Sequence, residues 1–537
     1  MAIRLADQEN TNNITQSNMR NLLAIGLLVL SLLKLQAQAL ENSFLNNLPQ
    51  DSLMFMLYFD QERLGNDSLL NTLKEELSGG LEDLLPHCQE LCFYAQNQEL
   101  YHCYTVRFRI KDQIPQEKVQ AILEQMNLKV TGFTSRSLML DGGANRYAFL
   151  YNDDHSSTLK IYSQNNLVNK ALREQHQQLY SKLWDHDEQE TNSIVENQLD
   201  SLVRLDSLNS KAYFDDLLRA HQLQIDKGES IVDIQSPLKY DAHQKEVVAN
   251  KALVLYVNPQ MIEGIPYHLI NAFNYDSYNH IDWFEKLGMS FTMHDRVWLG
   301  ASVEQDQLCI EALFQNDKTR QQYYKKLDKD LLKYLPATAP ESYWMYNMDM
   351  GVLKEHLLKN FSFYDMDDQV RALIKLALIA IDDDVFRVVG NGFICISGES
   401  KGNDVPDFKL AFKMPNAHKG QQLMDVLCDD LNLFKRRSDN TFISKKSDKP
   451  IYLCMEQDVW ILGTAPFDTL KQQNHLKDIH QYYPLLTDKT LVQYININEG
   501  TFASKELPFN SIELTTKRLN KKSVKTTIRV NRNQTRN

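Results

Sequence analysis

Tyr104-Thr105-Val106-Arg107-Phe108-Arg109-Ile110 is the stretch whose reading decides the fold. Large apolar side chains alternate with threonine and arginine, the period of two expected of a half-buried β-strand. A helical pattern follows from about Gln116 and closes on Met126-Asn127-Leu128. Two short strands come next, Tyr147-Ala148-Phe149-Leu150-Tyr151 and Leu159-Lys160-Ile161-Tyr162. The same order recurs some three hundred residues later. Phe408-Lys409-Leu410-Ala411-Phe412-Lys413 alternates as a strand, and a helical pattern from about His418 closes on Leu431-Asn432-Leu433. Ile451-Tyr452-Leu453-Cys454 and Val459-Trp460-Ile461-Leu462 then complete the set. Two copies of strand, helix, Asn-Leu and hairpin predict an internal duplication.

A second recurring unit surrounds these. Leu57-Tyr58-Phe59-Asp60, Leu255-Tyr256-Val257-Asn258 and Gln493-Tyr494-Ile495-Asn496 are strands carrying Tyr-x-Asp/Asn, and Trp344-Met345-Tyr346-Asn347 is a looser copy. Pro49, Pro336 and Pro484 precede three of the four. Helical patterns follow at Leu69–Leu77 and Val352–Leu358, so the short polar residue ending the strand is expected to cap the helix through its first free N–H groups. Gln164 to Ala249 is polar and helical in pattern, with Leu199, Leu202 and Val203 on one face. Ile512, Leu514, Val524, Ile528 and Val530 outline a closing hairpin around Asn520-Lys521-Lys522.

Alternating strands joined by short turns favour antiparallel sheets. The predicted class is α+β: mainly antiparallel sheets with helices on one face, in duplicated modules, plus a polar helical insertion. The expected segments are 1–39 (extension and signal peptide), 40–163 (first α+β module), 164–249 (helical connector), 250–335 (middle α+β segment) and 336–537 (second module with a basic hairpin).

Met19 begins a secretory signal pattern: Arg20, an apolar stretch from Leu22 to Leu33, and small residues at Ala37 and Ala39. Twelve apolar residues span about 18 Å, short of the roughly 30 Å of a bilayer core. Export with cleavage after Ala39 is expected, so that the mature chain begins at Leu40; N-terminal sequencing of the exported protein checks this. Retention of residues 22–33 as a membrane tether is the competing reading. Cys88 is the first cysteine, which leaves no lipid-accepting thiol at the cleavage point.

Hydrophobic residues make up 43% of the 537 and aromatics 10%, enough for packed cores. The formal charge of −12 argues against a general nucleic-acid binder. Against that balance, the last 37 residues carry nine Lys or Arg and only Glu506 and Glu513. Lys517, Lys521, Lys522, Lys525, Arg529 and Arg532 are therefore the candidate surface for an anionic polymer or phosphate-bearing headgroup, the alternative being a solvated strand face.

Other constellations are weaker. His87-Cys88, Cys92 and His102-Cys103 hold zinc-type ligands without the paired knuckle spacing of structural zinc sites; Cys88–Cys92 or Cys92–Cys103 disulfides and free thiols are the alternatives. Cys309, Cys395, Cys428 and Cys454 sit in apolar contexts and read as core. Asp153-Asp154-His155, Trp184-Asp185-His186-Asp187-Glu188 and Asp365, Asp367, Asp368 lack the order of a calcium loop and read as helix starts; Asp382-Asp383-Asp384 reads as a polar loop. Gly398-Glu399-Ser400-Lys401-Gly402 matches a nucleophile elbow but is followed by Asn403-Asp404-Val405-Pro406 and a strand rather than a helix. His-Glu-x-x-His, a phosphate-binding loop and a dinucleotide glycine pattern are all missing from the sequence. No cofactor, metal or catalytic residue is assigned.

The signal ending in Gln-Ala-Gln-Ala, the recurring Tyr-x-Asp strand and the two strand-helix-hairpin copies resemble the large uncharacterised envelope proteins of Bacteroidetes bacteria, catalogued as a domain of unknown function. The resemblance spans about residues 45–532 and brings no catalytic residues. It implies an envelope location in a Gram-negative cell, periplasmic or associated with the outer membrane. The expected function is a non-enzymatic binding or scaffold protein. An envelope hydrolase with a site assembled from distant residues is the alternative.

Overall fold

The computed structural model describes most of residues 44–532; residues 66–87, 111–128, 259–295, 361–389, 398–405, 498–508 and some shorter stretches lie outside the described residues, as do both ends. The chain forms two compact units, one up to Ser302 and one from Val303 onward. That boundary falls inside the segment 250–335 rather than at one of its ends.

In the first unit β1 (Leu53–Asp60) is a nearly continuous apolar run, Leu-Met-Phe-Met-Leu-Tyr-Phe-Asp, with both faces buried. Such a strand belongs in the middle of a sheet. It pairs antiparallel with β2 (Cys88–Asn97) on one side and with a strand two hundred residues away on the other. β3 (Tyr101–Ile110) continues from β2, and β4 (Lys129–Phe133), β5 (Ser137–Asp141), β6 (Arg146–Asn152) and β7 (Ser157–Gln164) form a meander that ends against β3. The distant partner is β8 (Leu253–Val257), which pairs in turn with β9 (Arg296–Glu304). The strand order is β4-β5-β6-β7-β3-β2-β1-β8-β9, antiparallel throughout.

In the second unit the strands are β10 (Gln307–Gln315), β11 (Ser342–Asn347), β12 (Asn391–Ser397), β13 (Asp407–Lys413), β14 (Phe434–Ser438), β15 (Thr441–Ser444), β16 (Tyr452–Glu456), β17 (Val459–Gly463), β18 (Leu491–Asn496), β19 (Phe509–Arg518) and β20 (Ser523–Arg532). Their pairings give β14-β15-β16-β17-β13-β12-β11-β18-β19-β20-β10. The first nine positions repeat the order of the first unit. A row across the first sheet reads Trp298, Tyr256, Met56, Tyr94, Thr105, Lys160 and Phe149. Its counterpart in the second reads Glu513, Tyr494, Tyr343, Cys395, Lys409, Gly463 and Tyr452. The four Tyr-x-Asp/Asn strands thus become two neighbouring pairs, β1 with β8 and β11 with β18.

Helices follow local rules. Asp60 ends β1 and caps α1 (Gln61–Leu64) by accepting from the Arg63 N–H, a turn earlier than the helical pattern at 69–77, which lies outside the described residues. At the looser copy the cap is displaced: Asp349 accepts from the Val352 N–H at the start of α6 (Met350–Asn360), while Asn347 donates to the Lys326 carbonyl. The polar segment folds as α2 (Lys170–Asp185), α3 (Gln189–Asp226) and α4 (Ala242–Val248). Leu199 and Leu202 are buried, but Val203 is exposed: the inward stripe runs Leu199, Leu202, Asp206, Ser210, Phe214, Leu218 at helical spacing and leaves Val203 outside it. Phe214, Leu218 and Ile225 of α3 pack on the sheet face built by Cys103, Tyr147, Phe149, Tyr151 and Tyr162. Asp206, nearly fully buried, accepts from the Val168 and Asn169 N–H groups and from Ser210, tying the start of α2 to α3. α4 crosses β9 so closely that a Cβ on Gly300 would lie 1.9 Å from the Val247 carbonyl oxygen, a position only glycine can fill.

The second core gathers Tyr343, Met345, Phe393, Cys395, Ala411, Ile461 and Val492 from the sheet. It is covered by Leu331 and Leu332 of α5 (Lys329–Leu332) together with Leu335, Tyr483 and Leu486. Among the described residues the other helices are α7 (Ala417–Asp425), α8 (Phe467–Lys471) and α9 (Leu476–Ile479). Met424 of α7 packs on Phe442, Leu453 and Trp460, the sheet face opposite the one that α5 covers, so the expected arrangement with helices on one face does not hold in this unit.

All seven cysteines are buried and unpaired, which overturns both proposed disulfides. Cys92 faces Arg107 across β2–β3 while Cys103 faces Gln96, four rows away, and Cys88 and Cys92 lie four residues apart on one strand. Four strand residues span about 13 Å, twice the Cα separation that a disulfide bridges.

Candidate functional site

The basic hairpin forms as the sequence outlined it, with β19 and β20 joined through Asn520, Lys521 and Lys522. Lys517 and Lys525 are opposite each other in the register, and Arg529 is opposite Glu513 on the same face. Lys521 and Lys522 are exposed in the turn, where Asn520 accepts from the Lys522 N–H at 2.7 Å. Arg532 closes β20, and its side chain lies outside the described residues. The six residues therefore divide: Lys517, Lys525 and Arg529 share a sheet face, while Lys521 and Lys522 crown the turn.

Carboxylates that the local sequence did not announce answer part of this charge. Lys525 Nζ lies 2.7 Å from Glu311 on β10, with both side chains largely buried. Lys517 reaches toward Asp488 at 3.9 Å, which also pairs with Lys326 at 2.9 Å. Burial raises the Glu513 carboxyl above its ordinary pKa, with Arg529 opposing the shift. Lys489 joins the cluster: burial and then the charges of Lys517, Arg529 and Lys525 hold its ammonium below the usual lysine value. Behind burial, three neighbouring cations crowd Lys489 against one opposing aspartate. An arriving anion would relieve the crowding.

A second polar centre is sealed inside the first unit. Thr158, Lys160, Tyr162 and Gln164 share the face of β7 beneath α3, and the Tyr162 hydroxyl meets His221 Nε2 at 2.9 Å. Lys160 is fully buried, and desolvation lowers its pKa to about 8. His221 is lowered to about 4, by burial and by the Lys160 charge. The second unit places Lys409 one strand over in the equivalent row, likewise lowered by burial to about 8. Beside it Tyr334 donates to Glu456 at 2.7 Å. Sequence reading missed both lysines: each occupies a polar slot of an alternating strand, which resembles a solvent-facing position until a second layer covers it.

His221 has a measurable consequence. Its folded pKa lies below the unfolded value near 6.5, so below that pH the unfolded chain binds a proton that the folded chain resists. Stability is present above pH ~6.5 and declines toward pH 4, by up to roughly 3 kcal/mol at 1.36 kcal/mol per pKa unit. Urea denaturation of wild type and His221→Gln between pH 4 and 7 checks this; the variant should lose most of the slope.

Other candidates find their places. Cys88, Cys92 and Cys103 lie inside β2 and β3, where burial raises every thiol and pushes Cys88 to about 12, the opposite of what a thiolate ligand requires. Among the described residues no group of three or more His, Cys, Asp or Glu is placed to hold a metal ion. Ser400 lies outside the described residues, but β12 and β13 flanking it pair antiparallel, Ser397 opposite Asp407. The connection runs strand to strand, whereas a nucleophile elbow needs strand to helix. His87, Asp153-Asp154-His155, His186–Glu188, Asp365–Asp368 and Asp382–Asp384 also lie outside the described residues. So does the signal segment, and among the described residues no helix is long and apolar enough to cross a membrane.

No protein-family model matches the chain, and no curated protein does. Two solved structures of TP0453 were found. Crystal form III is 9% identical with a TM-score of 0.24, covering 52% of this chain and 82% of that one; crystal form IV is 9% identical with a TM-score of 0.19, covering 35% and 76%. Neither likeness is strong enough to bear on fold or function.

Proposed function

We propose that this chain is an exported, non-enzymatic envelope protein that binds or scaffolds, and that it meets an anionic polymer through the β19–β20 hairpin. The observation that carries the reading is the set of Lys517, Lys525 and Arg529 on one sheet face, with Lys489 nearby before β18 and Lys521 and Lys522 at the hairpin tip, in a chain of net charge −12. Positive potential concentrated on an acidic protein selects anions by Coulomb attraction. The N-terminal signal pattern and the resemblance to Bacteroidetes envelope proteins supply the compartment. The shared strand order of the two units supports descent from one duplicated module.

Dextran sulfate, with neutral dextran as control, tests the reading. Lys517→Gln, Lys521→Gln, Lys522→Gln and Arg529→Gln together should weaken polyanion binding at least tenfold at 50 mM salt, and binding by the wild type should fall steeply as salt rises. Lys525 is left in place because of its Glu311 partner. Equal binding by the quadruple variant, with an unchanged unfolding transition, refutes the proposal.

A further inference from the structure

Ten large hydrophobic side chains are exposed among the described residues, and four of them fall within eleven positions of one corner of the second unit: Leu423 (45%), Val426 (41%), Leu431 (53%) and Leu433 (41%). The backbone builds this corner. Asn416 caps α7, which runs on into a π turn over Val426–Asp430. Met424 and Cys428 point inward and pack with Met414, Phe442, Leu453 and Trp460, which leaves Leu423 and Val426 on the outer side. Asn432 then takes a left-handed φ of 52°, which asparagine tolerates better than most residues. The Leu433 N–H donates to the Leu427 carbonyl at 2.9 Å, the Lys445 N–H donates to Leu433, and Lys445 Nζ donates to the Asn432 side chain. Leu431 and Leu433 are therefore held outward by main-chain bonds on both sides of the turn. Their exposure is built into the fold.

The charges around the knuckle are ordered. Asp429 and Asp430 precede it; Lys435, Arg436 and Arg437 follow it on β14, which pairs only with β15 among the described residues. Arg436, exposed, pairs with Asp425 at 2.6 Å and lies over the Phe442 ring. Asp429, Asp430, Lys435 and Arg437 are exposed and make no ion pair among the described residues. Read through Asn432, the segment is acidic on one side, apolar at the centre and basic on the other. Turned antiparallel on a copy of itself, it sets leucine against leucine and Asp429 and Asp430 against Lys435 and Arg437. Such a self-complementary patch is what a two-fold contact requires. Ladder pairing of β14 with its own copy would instead oppose arginine and lysine with their like, so the contact runs through side chains. Three cations balanced by three carboxylates (Asp425, Asp429, Asp430; Lys435, Arg436, Arg437) also fit a second copy better than an anionic surface.

We infer that the Leu423–Arg437 corner is a self-association surface, in which the Leu431-Asn432-Leu433 knuckle of one chain docks antiparallel on that of a second copy. This surface is separate from the basic hairpin and does not depend on the proposed polyanion binding.

Sedimentation equilibrium of the purified chain tests it. The wild type is expected to show a reversible monomer–dimer equilibrium, and Leu431→Ser with Leu433→Ser to weaken it at least tenfold with an unchanged unfolding transition. Asp429→Lys with Asp430→Lys, or Lys435→Glu with Arg437→Glu, should each weaken self-association, and mixing the two variants should restore a heterodimer. That rescue excludes a folding defect as the cause. A wild type that stays monomeric to 100 µM overturns the inference, as does a dimer unchanged by the leucine substitutions. A monomer that floats with lipid vesicles through Leu431 and Leu433 also overturns it, in favour of a bilayer surface.

Discussion

Replacing Phe214 by alanine is expected to remove about 3–5 kcal/mol of stability from the first unit, the range for truncating a fully buried aromatic. Phe214 is fully buried on α3, stacks on Tyr147 at a centroid distance of 4.4 Å and 16°, and meets Tyr101 edge-on at 5.8 Å. It is the largest side chain through which a long polar helix holds the sheet, beside Leu218 and Ile225 of the same helix. The void left would be lined by Tyr147 and Tyr162, which the strands fix in place, and by Leu218 on the helix itself. Phe214→Leu keeps most of the volume and should cost roughly 1 kcal/mol. Equilibrium urea denaturation of both variants reads the difference. A loss below about 1 kcal/mol for alanine would mean that α3 does not depend on this contact.

Glu90→Ala should cost on the order of 3 kcal/mol, as when one partner of a buried ion pair is removed. Glu90 is 5% exposed and joins two parts of the chain. One carboxylate oxygen accepts from the Phe44 N–H at 2.9 Å, the other from Arg109 Nη1 at 2.6 Å. Arg107 and Arg109 both lie over the Phe44 ring, at 4.8 and 5.1 Å. Alanine strands a nearly buried guanidinium and a peptide N–H together. Beyond the global loss, hydrogen exchange at Phe44–Asn47 should quicken, because this short turn would lose its main polar anchor. Glu90→Gln retains an acceptor for Phe44 and should recover part of the loss. Unchanged exchange in the alanine variant would show that the N-terminal turn is held by its apolar contacts alone.

Phe44 lies four residues past the cleavage point that the signal pattern predicts at Leu40, and already contributes to the core.

How much was legible depends on how local each cause is. The alternation in Tyr104–Ile110 and Phe408–Lys413 identified β3 and β13 because a strand's period of two is written in consecutive residues. The Tyr-x-Asp copies were equally visible, but not that they would pair as β1 with β8 and β11 with β18. Pairing depends on residues two hundred positions away, and no window of sequence contains both. The cations of the final hairpin could be read directly, whereas Glu311, on β10, and Asp488, in the turn before β18, temper them from elsewhere in the chain. Lys160 and His221 were illegible for the same reason. A polar residue on an alternating strand, or one histidine on a helix, becomes a buried pair only when α3 closes over β7.

Alone, the sequence determined strands such as β3 and β13, the recurring Tyr-x-Asp/Asn pattern and the distribution of charge, all of which follow from neighbouring residues and their chemistry. The tertiary structure alone decided the strand order shared by the two units, the pairing state of the cysteines, and which lysines are buried. It also decided that Leu431 and Leu433 face outward, because burial is a property of what packs against a residue and not of the residue itself.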